Sequence, residues 1–427
     1  MVMKRGIATF TLDTGHCPPW LFKRMVELGR EMVYVLVDEY GASEFVKRIS
    51  DPVWFQSLGT VLAFDWNASG LTTILTAALK EAIRGQEEEL GIFICGGKGK
   101  TSRKTPSEIL NWGQRLNLEE GKVRDLSYSS KMSAKVDSSL VQDGYQIYHH
   151  AFFFSVRKNP GSSAPLIDSW AVVQQGMNTA NSTARRYHWY EELTRSDLAN
   201  DDPDEQNNLQ VKINKKKDFV EEPHTGIASQ AFEKKMLNLV SKKSRKNRKL
   251  SNELVSSGYN TLIKDIQLLR SHFSSYSTMV SFRVPSGQSG RGSEEQLTFL
   301  ELNDPHFTTH PVVTEDFTKS KYLERILQRV TYEKPEDYES LLAIEGVGPK
   351  TIRALSLVSE IIYGADPSYE DPARYSFAHG GKDSIPYPVD IKTYDNTINI
   401  LEKAVKRSKI STFDKEKALR RLKTINA

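Results

Sequence analysis

The sequence contains only two cysteines, Cys17 and Cys95, among 427 residues. This scarcity excludes a disulfide framework and any cysteine-rich zinc site. No apolar run approaches the length of a membrane span. The first residues, Met1 to Arg5, do not lead into the long apolar stretch of a signal peptide. We therefore expect a protein of the reducing cytoplasm with no membrane partner.

A large excess of one charge is also missing. The chain has 58 lysines and arginines against 54 aspartates and glutamates, which gives a formal net charge of +4. Such a balance is weak support for a nucleic-acid partner, so the location of the basic residues matters more than their number. The length allows two or three domains with cores of their own.

The stretch from Leu342 to Leu355 has the pattern of two helices joined by a tight glycine turn. Pro349 suits the first position of the second helix, where its missing N–H costs nothing. Glycine N–H groups and a helix N-terminus together form an anion site that fits a DNA phosphate. We predict a helix-hairpin-helix at 341–357, with a plain αα-hairpin as the alternative. The predicted DNA contacts are Gly346, Val347, Gly348, Lys350 and Thr351.

A Pro-Val-Asp sequence ending at Asp390 lies downstream of this hairpin. Gly-Val-Gly-x-Lys followed by a helix and Pro-Val-Asp resembles the helix-hairpin-helix DNA glycosylase superfamily. The resemblance implies that Lys350 attacks C1′ of a damaged nucleotide and that Asp390 activates the lysine. The forty positions between them exceed that family's usual connection. The same turn occurs in hairpins of ligases, resolvases and excision nucleases, where the lysine only contacts phosphate.

A glycine-rich basic loop follows an apolar strand at 90–95. Thr105-Pro-Ser-Glu108 then has the form of a capping box at the start of a helix. Strand, glycine loop and helix make a phosphate cradle, although Ile94 stands where a Walker loop needs glycine. We predict either a DNA or RNA backbone contact or a basic surface turn. The contacting residues would be Lys98, Lys100, Arg103 and Lys104.

Polar residues alternate with large apolar ones on a predicted β-hairpin at 145–177 and on the strand that follows it. Histidine, glutamine and arginine on a sheet are typical of nuclease surfaces, although the acid–x–lysine pattern of restriction-type folds is absent. The candidate catalytic residues are His149, His150, Gln174, Gln175, Arg186 and His188. In the alternative interpretation Phe152, Phe154, Trp170 and Val172 form the core, and the polar residues form a solvated face or a DNA contact.

Between residues 242 and 249, six of eight residues are lysine or arginine. Such a run is often a solvated helix face. Beside a helix-hairpin-helix we expect phosphate contacts from Lys242, Lys243 and Arg245.

Over its whole length the sequence resembles an archaeal and bacterial family known as domain of unknown function seven-six-three. The resemblance rests on six segments, at 11–15, 20–22, 96–106, 173–178, 186–189 and 379–383. It implies a DNA-related role at most.

We expect an α+β protein. Residues 1–230 would form a mixed region with a small sheet, and residues 231–427 a helical DNA-binding region. The favoured function is a DNA-processing enzyme, a repair glycosylase/lyase that uses Lys350 and Asp390. The first alternative is a structure-selective nuclease with its chemistry in the N-terminal region, where a divalent metal would be the cofactor. The second is a non-enzymatic DNA-binding protein. The partner in each case is DNA, either double-stranded or damaged or branched.

Overall fold

The computed structural model describes residues 10–12, 16–62, 67–158, 165–193, 217–230, 233, 236–268, 321–373, 375–376 and 391–426. The chain divides into two compact units. Unit 1 comprises residues 1–138, 144–232 and 372–427, and unit 2 comprises residues 139–143 and 233–371. The expected α+β class is confirmed.

Unit 1 begins with helices whose N-termini are capped where the sequence supplies a suitable side chain. Asp51 accepts the N–H groups of Val53 (2.7 Å) and Trp54 (3.0 Å), and Asn67 accepts those of Ser69 and Gly70. The helices are α1 (Pro19–Tyr40), α2 (Ala42–Ile49), α3 (Pro52–Val61), α4 (Ala68–Ala82), α5 (Glu87–Leu90), α6 (Thr105–Arg115) and α7 (Glu120–Ser139).

The sheet of unit 1 contains five antiparallel strands, with a two-residue strand added in parallel at one edge. In chain order the strands of the protein are β1 (Ile92–Lys98), β2 (Val141–Gln142), β3 (Gln146–Arg157), β4 (Leu166–Asn178), β5 (Thr183–Glu192), β6 (His224–Ser229), β7 (Leu237–Asn238) and β8 (Tyr375–Ser376). The order across the sheet is β1-β3-β4-β5-β6-β8. From β3 to β6, strands that follow one another in the chain are also neighbours in the sheet, and each of these pairs is antiparallel.

Both faces of this sheet are buried. Ile94, Phe153 and Val173 on one face join the core formed with α1 to α4. On the other face Phe152 stacks on Trp170 with ring centroids 5.5 Å apart, and Phe93 packs against Trp112 of α6 at 4.8 Å. Since helices cover the second face as well, the expectation that polar residues of the hairpin form a solvated face is wrong.

The C-terminal helices return to unit 1. Helix α12 (Ile391–Arg407) and helix α13 (Thr412–Asn426) are described after the hairpin region. Ile400, Leu401, Ala404 and Val405 of α12 are buried in the same core as α1 to α4. This apolar face explains why residues 372–427 belong with the N-terminal unit and not with the hairpin.

Unit 2 is mainly helical and also contains the short antiparallel ladder of β2 and β7. Asn247 is fully buried, and its amide donates to the carbonyl groups of Ser356 (2.9 Å) and Ala365 (2.7 Å). Two buried hydrogen bonds thus fix the helix that carries Asn247 against the hairpin. The helices are α8 (Arg245–Ser256), α9 (Lys321–Glu333), α10 (Tyr338–Ala343) and α11 (Pro349–Leu357).

Candidate nucleic-acid interface

The predicted hairpin consists of α10, a turn at 344–348 and α11, which begins at Pro349 as expected. The two glycines of the turn have different roles. Gly346 has φ +89°, and a Cβ there would lie 2.4 Å from Cδ1 of Ile326. The fold itself therefore requires glycine at this position. Gly348 has an extended backbone with φ −150°, and a Cβ there would meet no atom of a described residue within 4 Å.

Backbone donors converge at the N-terminus of α11. Among the described residues, the N–H groups of Gly346, Gly348 and Lys350 have no protein acceptor. The N–H of Val347 differs, because it donates to the carbonyl of Ile344 at 3.2 Å. The Lys350 side chain is exposed and forms no ion pair within the described part of the chain. Free donors, a helix N-terminus and a lysine make this end of α11 an anion-attracting surface.

Two residues of the predicted contact set face inward instead. Val347 is 3% exposed and Thr351 is 2% exposed, because both side chains pack into the interior of unit 2. Their side chains are therefore not available to DNA, and we correct the predicted set to Gly346, Gly348 and Lys350.

Exposure also bears on the predicted lyase nucleophile. A lysine becomes nucleophilic when burial or a nearby cation favours its neutral form. Lys350 instead extends from the first turn of α11 into solvent. Asp390, its predicted partner, lies outside the described residues.

The glycine-rich basic loop of unit 1 is also exposed. The end of β1 continues into a 3₁₀ helix at Gly99–Lys104, and Gly96, Gly97 and Gly99 all have positive φ. A Cβ on Gly96 would lie 2.3 Å from both the His150 carbonyl oxygen and the Thr105 hydroxyl oxygen. This loop carries four exposed cations that form no ion pair with any described residue: Lys98, Lys100, Arg103 and Lys104.

The capping box expected after this loop is not formed. Thr105 already has helical backbone angles, and its hydroxyl donates to the carbonyl of Ser102 at 2.7 Å. The Glu108 carboxylate accepts the Gly96 N–H at 2.9 Å and pairs with Lys80 at 2.6 Å. Glu108 therefore holds the start of the glycine loop and not the start of α6.

The basic run at 242–249 is largely engaged within unit 2. Lys243 pairs with Glu370 at 2.6 Å, and Lys249 lies 3.7 Å from Glu253. Arg248 is buried and donates to the carbonyl groups at positions 239 and 241. Lys242 and Arg245 are exposed. This run thus offers fewer free cations than its composition suggests.

The six candidate catalytic residues of the sheet are divided between its two faces. His150 and Gln174 face α7, whereas the other four contact α3, α4 or the end of α2. Each of the six is at most 5% exposed. These residues therefore do not form one open site, and each belongs to a buried polar layer. We call these layers the α7-side layer and the α4-side layer.

The α7-side layer is a continuous hydrogen-bond network. The His150 Nδ1–H donates to Gln174 Oε1 at 2.8 Å, which leaves Nε2 to accept from the Ser130 hydroxyl at 2.9 Å. The Gln174 amide donates to Asp137, which is fully buried. Asp137 also accepts from Trp189 Nε1 at 3.0 Å and bonds with His224 Nε2. Burial lowers the pKa of His150 and favours its neutral form.

In the α4-side layer, three polar side chains lie next to one another across the strands, in the order His149, Gln175 and Arg186. One side of α4 supplies their partners at helical spacing. His149 Nε2 lies 3.3 Å from Thr76 Oγ1, the Gln175 amide donates to the Ser69 carbonyl at 2.9 Å, and Arg186 donates to Thr72 Oγ1 at 3.3 Å. His188 Nδ1 donates to the Ile49 carbonyl at 3.2 Å.

Burial dominates the electrostatics of this layer. Desolvation lowers the pKa of His149 to about 3 and places that of His188 well below its usual value. The guanidinium of Arg186 lies between the rings of Phe10 (5.5 Å) and Phe55 (4.7 Å), and its pKa is lowered to about 9. Two aromatic rings and the neutral His188 thus lie near the Arg186 charge.

No group of three or more His, Cys, Asp or Glu residues suited to a metal ion is present among the described residues. Likewise, none of the helices in the described ranges is long and apolar enough to cross a membrane.

A family model described as "Protein of unknown function (DUF763)" matches residues 6–389. The chain belongs to this family. The resemblance found in the sequence is therefore confirmed, whereas the likeness to helix-hairpin-helix glycosylases stays a prediction. No curated protein and no solved structure matches the chain.

Asp137, the shared acceptor of the α7-side layer, is not among the site residues predicted from the sequence. Ser130, Ser133 and Asp137 lie at spacings of three and four, which places them on one face of α7. That spacing was the available signal, but it does not identify the strands that the face covers.

Proposed function

We propose that this protein binds DNA and that the turn at 344–348, together with the first residues of α11, holds a backbone phosphate. The observation that carries the proposal is the set of free N–H groups at Gly346, Gly348 and Lys350. A phosphate offers several acceptor oxygens to such donors and is favoured by the positive end of the helix dipole. Gly348 supports the same conclusion, since none of the described residues requires glycine there. A small residue at this position leaves room for a ligand to approach the backbone closely.

Lys350 would add a charge-assisted contact to the same or the next phosphate. Its exposed side chain can follow the DNA backbone without losing a partner among the described residues. Contacts of this kind are independent of sequence, so we expect binding to many duplexes with an affinity that falls steeply with salt.

The glycine loop of unit 1 is proposed as a second backbone contact. Four cations within seven residues, from Lys98 to Lys104, are exposed and form no ion pair within the described residues. Each lysine or arginine that reaches a phosphate releases counterions and so adds to the salt dependence.

Binding is favoured over catalysis by the position of Lys350. A glycosylase/lyase would need that amine desolvated, and it is exposed. Borohydride treatment of the protein with abasic duplex should therefore give no adduct that depends on Lys350. An adduct that disappears in Lys350→Gln would favour the glycosylase/lyase version instead. The nuclease version would have to use the sheet residues, which are buried.

The sharpest test of the proposed contact is Gly348→Asp. Aspartate is a favoured residue at this N-cap position, where its carboxylate can accept the free N–H groups of α11. The variant should melt at or above the wild-type temperature. Its carboxylate would also occupy and repel the phosphate position, so duplex affinity should fall at least about tenfold. Fluorescence anisotropy and thermal melting measure the two effects separately.

Two controls accompany this variant. Gly348→Asn provides a similar cap without the charge and should lose less affinity than Gly348→Asp. Lys264→Glu changes an exposed residue of unit 2 next to Asp265, which accepts from Tyr363 beyond the C-terminal end of α11, and should bind nearly as wild type. Wild-type affinity of Gly348→Asp would remove the turn from the DNA contact.

A further inference from the structure

The exposed side of α9 lies beside the hairpin turn. The Tyr322 hydroxyl is 3.5 Å from the carbonyl oxygen of Gly346, and Arg329 Nη1 donates to the carbonyl of Glu345 at 3.1 Å. Ile326, between these two positions, packs against Gly346. Helix α9 therefore borders the N–H groups to which we assign a phosphate.

Two tyrosines and two arginines form one stripe on this helix. The stripe begins at Tyr322 and continues three, seven and ten positions later with Arg325, Arg329 and Tyr332. These spacings place all four side chains on one side of an α-helix. Tyr322 is 58% exposed and Tyr332 is 88% exposed. Arg325 is exposed and has no carboxylate partner among the described residues. We call these four residues the tyrosine stripe.

Exposed aromatic rings beside a phosphate site fit unpaired nucleotides. Bases in a duplex already stack on their neighbours, whereas an unpaired base can stack on a tyrosine ring whatever its sequence. The two rings lie about 15 Å apart along the axis of α9, so a few nucleotides can lie between them. Arg325 lies between the rings and can contact the backbone that connects those nucleotides.

We propose that the tyrosine stripe binds the single-stranded extension of a duplex whose backbone phosphate is held at the hairpin turn. This inference rests on the proposed DNA binding and specifies its substrate class. The protein would then favour a duplex next to unpaired nucleotides over a blunt duplex.

The test compares three kinds of labelled DNA by fluorescence anisotropy at one salt concentration. They are a blunt duplex, the same duplex with a single-stranded extension on its 5′ or its 3′ end, and the extended strand alone. We expect the full-length chain to bind an extended duplex about tenfold more tightly than the blunt one. Tyr322→Ala with Tyr332→Ala should remove this preference. Tyr332→Ala alone should weaken it and leave blunt-duplex affinity unchanged, because Tyr332 lies ten residues along α9 from the contact of Tyr322 with Gly346. Tyr322→Phe keeps the ring and should retain the preference.

Tyr363→Ala is the matched control, because Tyr363 is an exposed tyrosine of unit 2 whose hydroxyl bonds with Asp265. It should keep the preference for the extended duplex. Equal binding of blunt and extended duplexes by the wild type, or an unchanged preference in the double variant, would overturn the stripe while DNA binding stands. If none of the three molecules binds, the proposed function itself fails.

Discussion

The sheet and the two glycine turns both carry polar or basic side chains that the sequence indicates as candidate site residues, but these side chains occupy opposite environments. His149, Gln175 and Arg186 lie next to one another under α4 and are fully buried. Lys350 and the cations of the glycine loop are exposed and form no ion pair within the described residues. Histidine or arginine in a sequence pattern therefore indicates chemistry only where solvent can reach the side chain. A buried polar layer instead affects stability and its dependence on pH.

The largest expected effect tests the buried half of this comparison. His149, His150 and His188 have lowered pKa values in the folded chain because burial disfavours their charged forms. In the unfolded chain an ordinary histidine titrates near pH 6.5. Below about pH 6.5 the unfolded state therefore binds more protons, and folding stability falls as pH falls. Above that pH the folding stability is retained.

A histidine that stays neutral in the folded chain contributes a slope of at most about 1.4 kcal/mol per pH unit. The free energy of unfolding, measured with urea at several pH values between about 5 and 7, gives this slope before most carboxylates titrate. His149→Gln keeps an amide near Thr76 but cannot titrate, so the slope of this variant should be lower by about 1.4 kcal/mol per pH unit. A stability that does not vary with pH over this window would mean that these rings are not buried and neutral.

The second effect concerns Asp137, the shared acceptor of the α7-side layer. Asp137→Ala leaves the buried donors of Gln174, Trp189 and His224 without this partner. Breaking a buried polar network in this way costs about 3–5 kcal/mol. Asp137→Asn keeps one acceptor oxygen and should cost less. Denaturation followed by circular dichroism measures both, and a loss below about 1 kcal/mol for the alanine variant would contradict the network.

The sequence could predict the turns better than the layers, for a physical reason. The helix boundary at Pro349 and the positive φ of Gly346 follow from preferences of the residues themselves. Burial of Val347 and Thr351, by contrast, depends on helices distant in the sequence. The strand pattern identified Phe152 and Trp170 as core but could not indicate that helices cover the second face as well. For that reason the sequence pattern predicted that His149 and Arg186 belong to a solvent-accessible site, although both are buried.

In the basic stretch at 242–249, too, the structure differs from what the composition indicates. Its composition indicates a phosphate-binding surface, but Lys243 and Lys249 have carboxylate neighbours and Arg248 is buried. The glycine loop has fewer cations, and among the described residues all four are without an ion pair. Free charge, and not the number of basic residues, determines how many counterions DNA binding can release.

The smallest effect sharpens this contrast between the two basic stretches. Replacing Lys98, Lys100, Arg103 and Lys104 together by glutamine should leave the melting temperature unchanged, because none of these side chains has an ion-pair partner to lose within the described chain. If all four reach phosphates, the slope of log affinity against log salt should become less steep by about 3.6. The paired variant Lys243→Gln with Lys249→Gln is the control and should change the slope by less than half as much. A quadruple variant with the wild-type slope would make the glycine loop a basic surface turn, and DNA contact would then rest on the hairpin of unit 2.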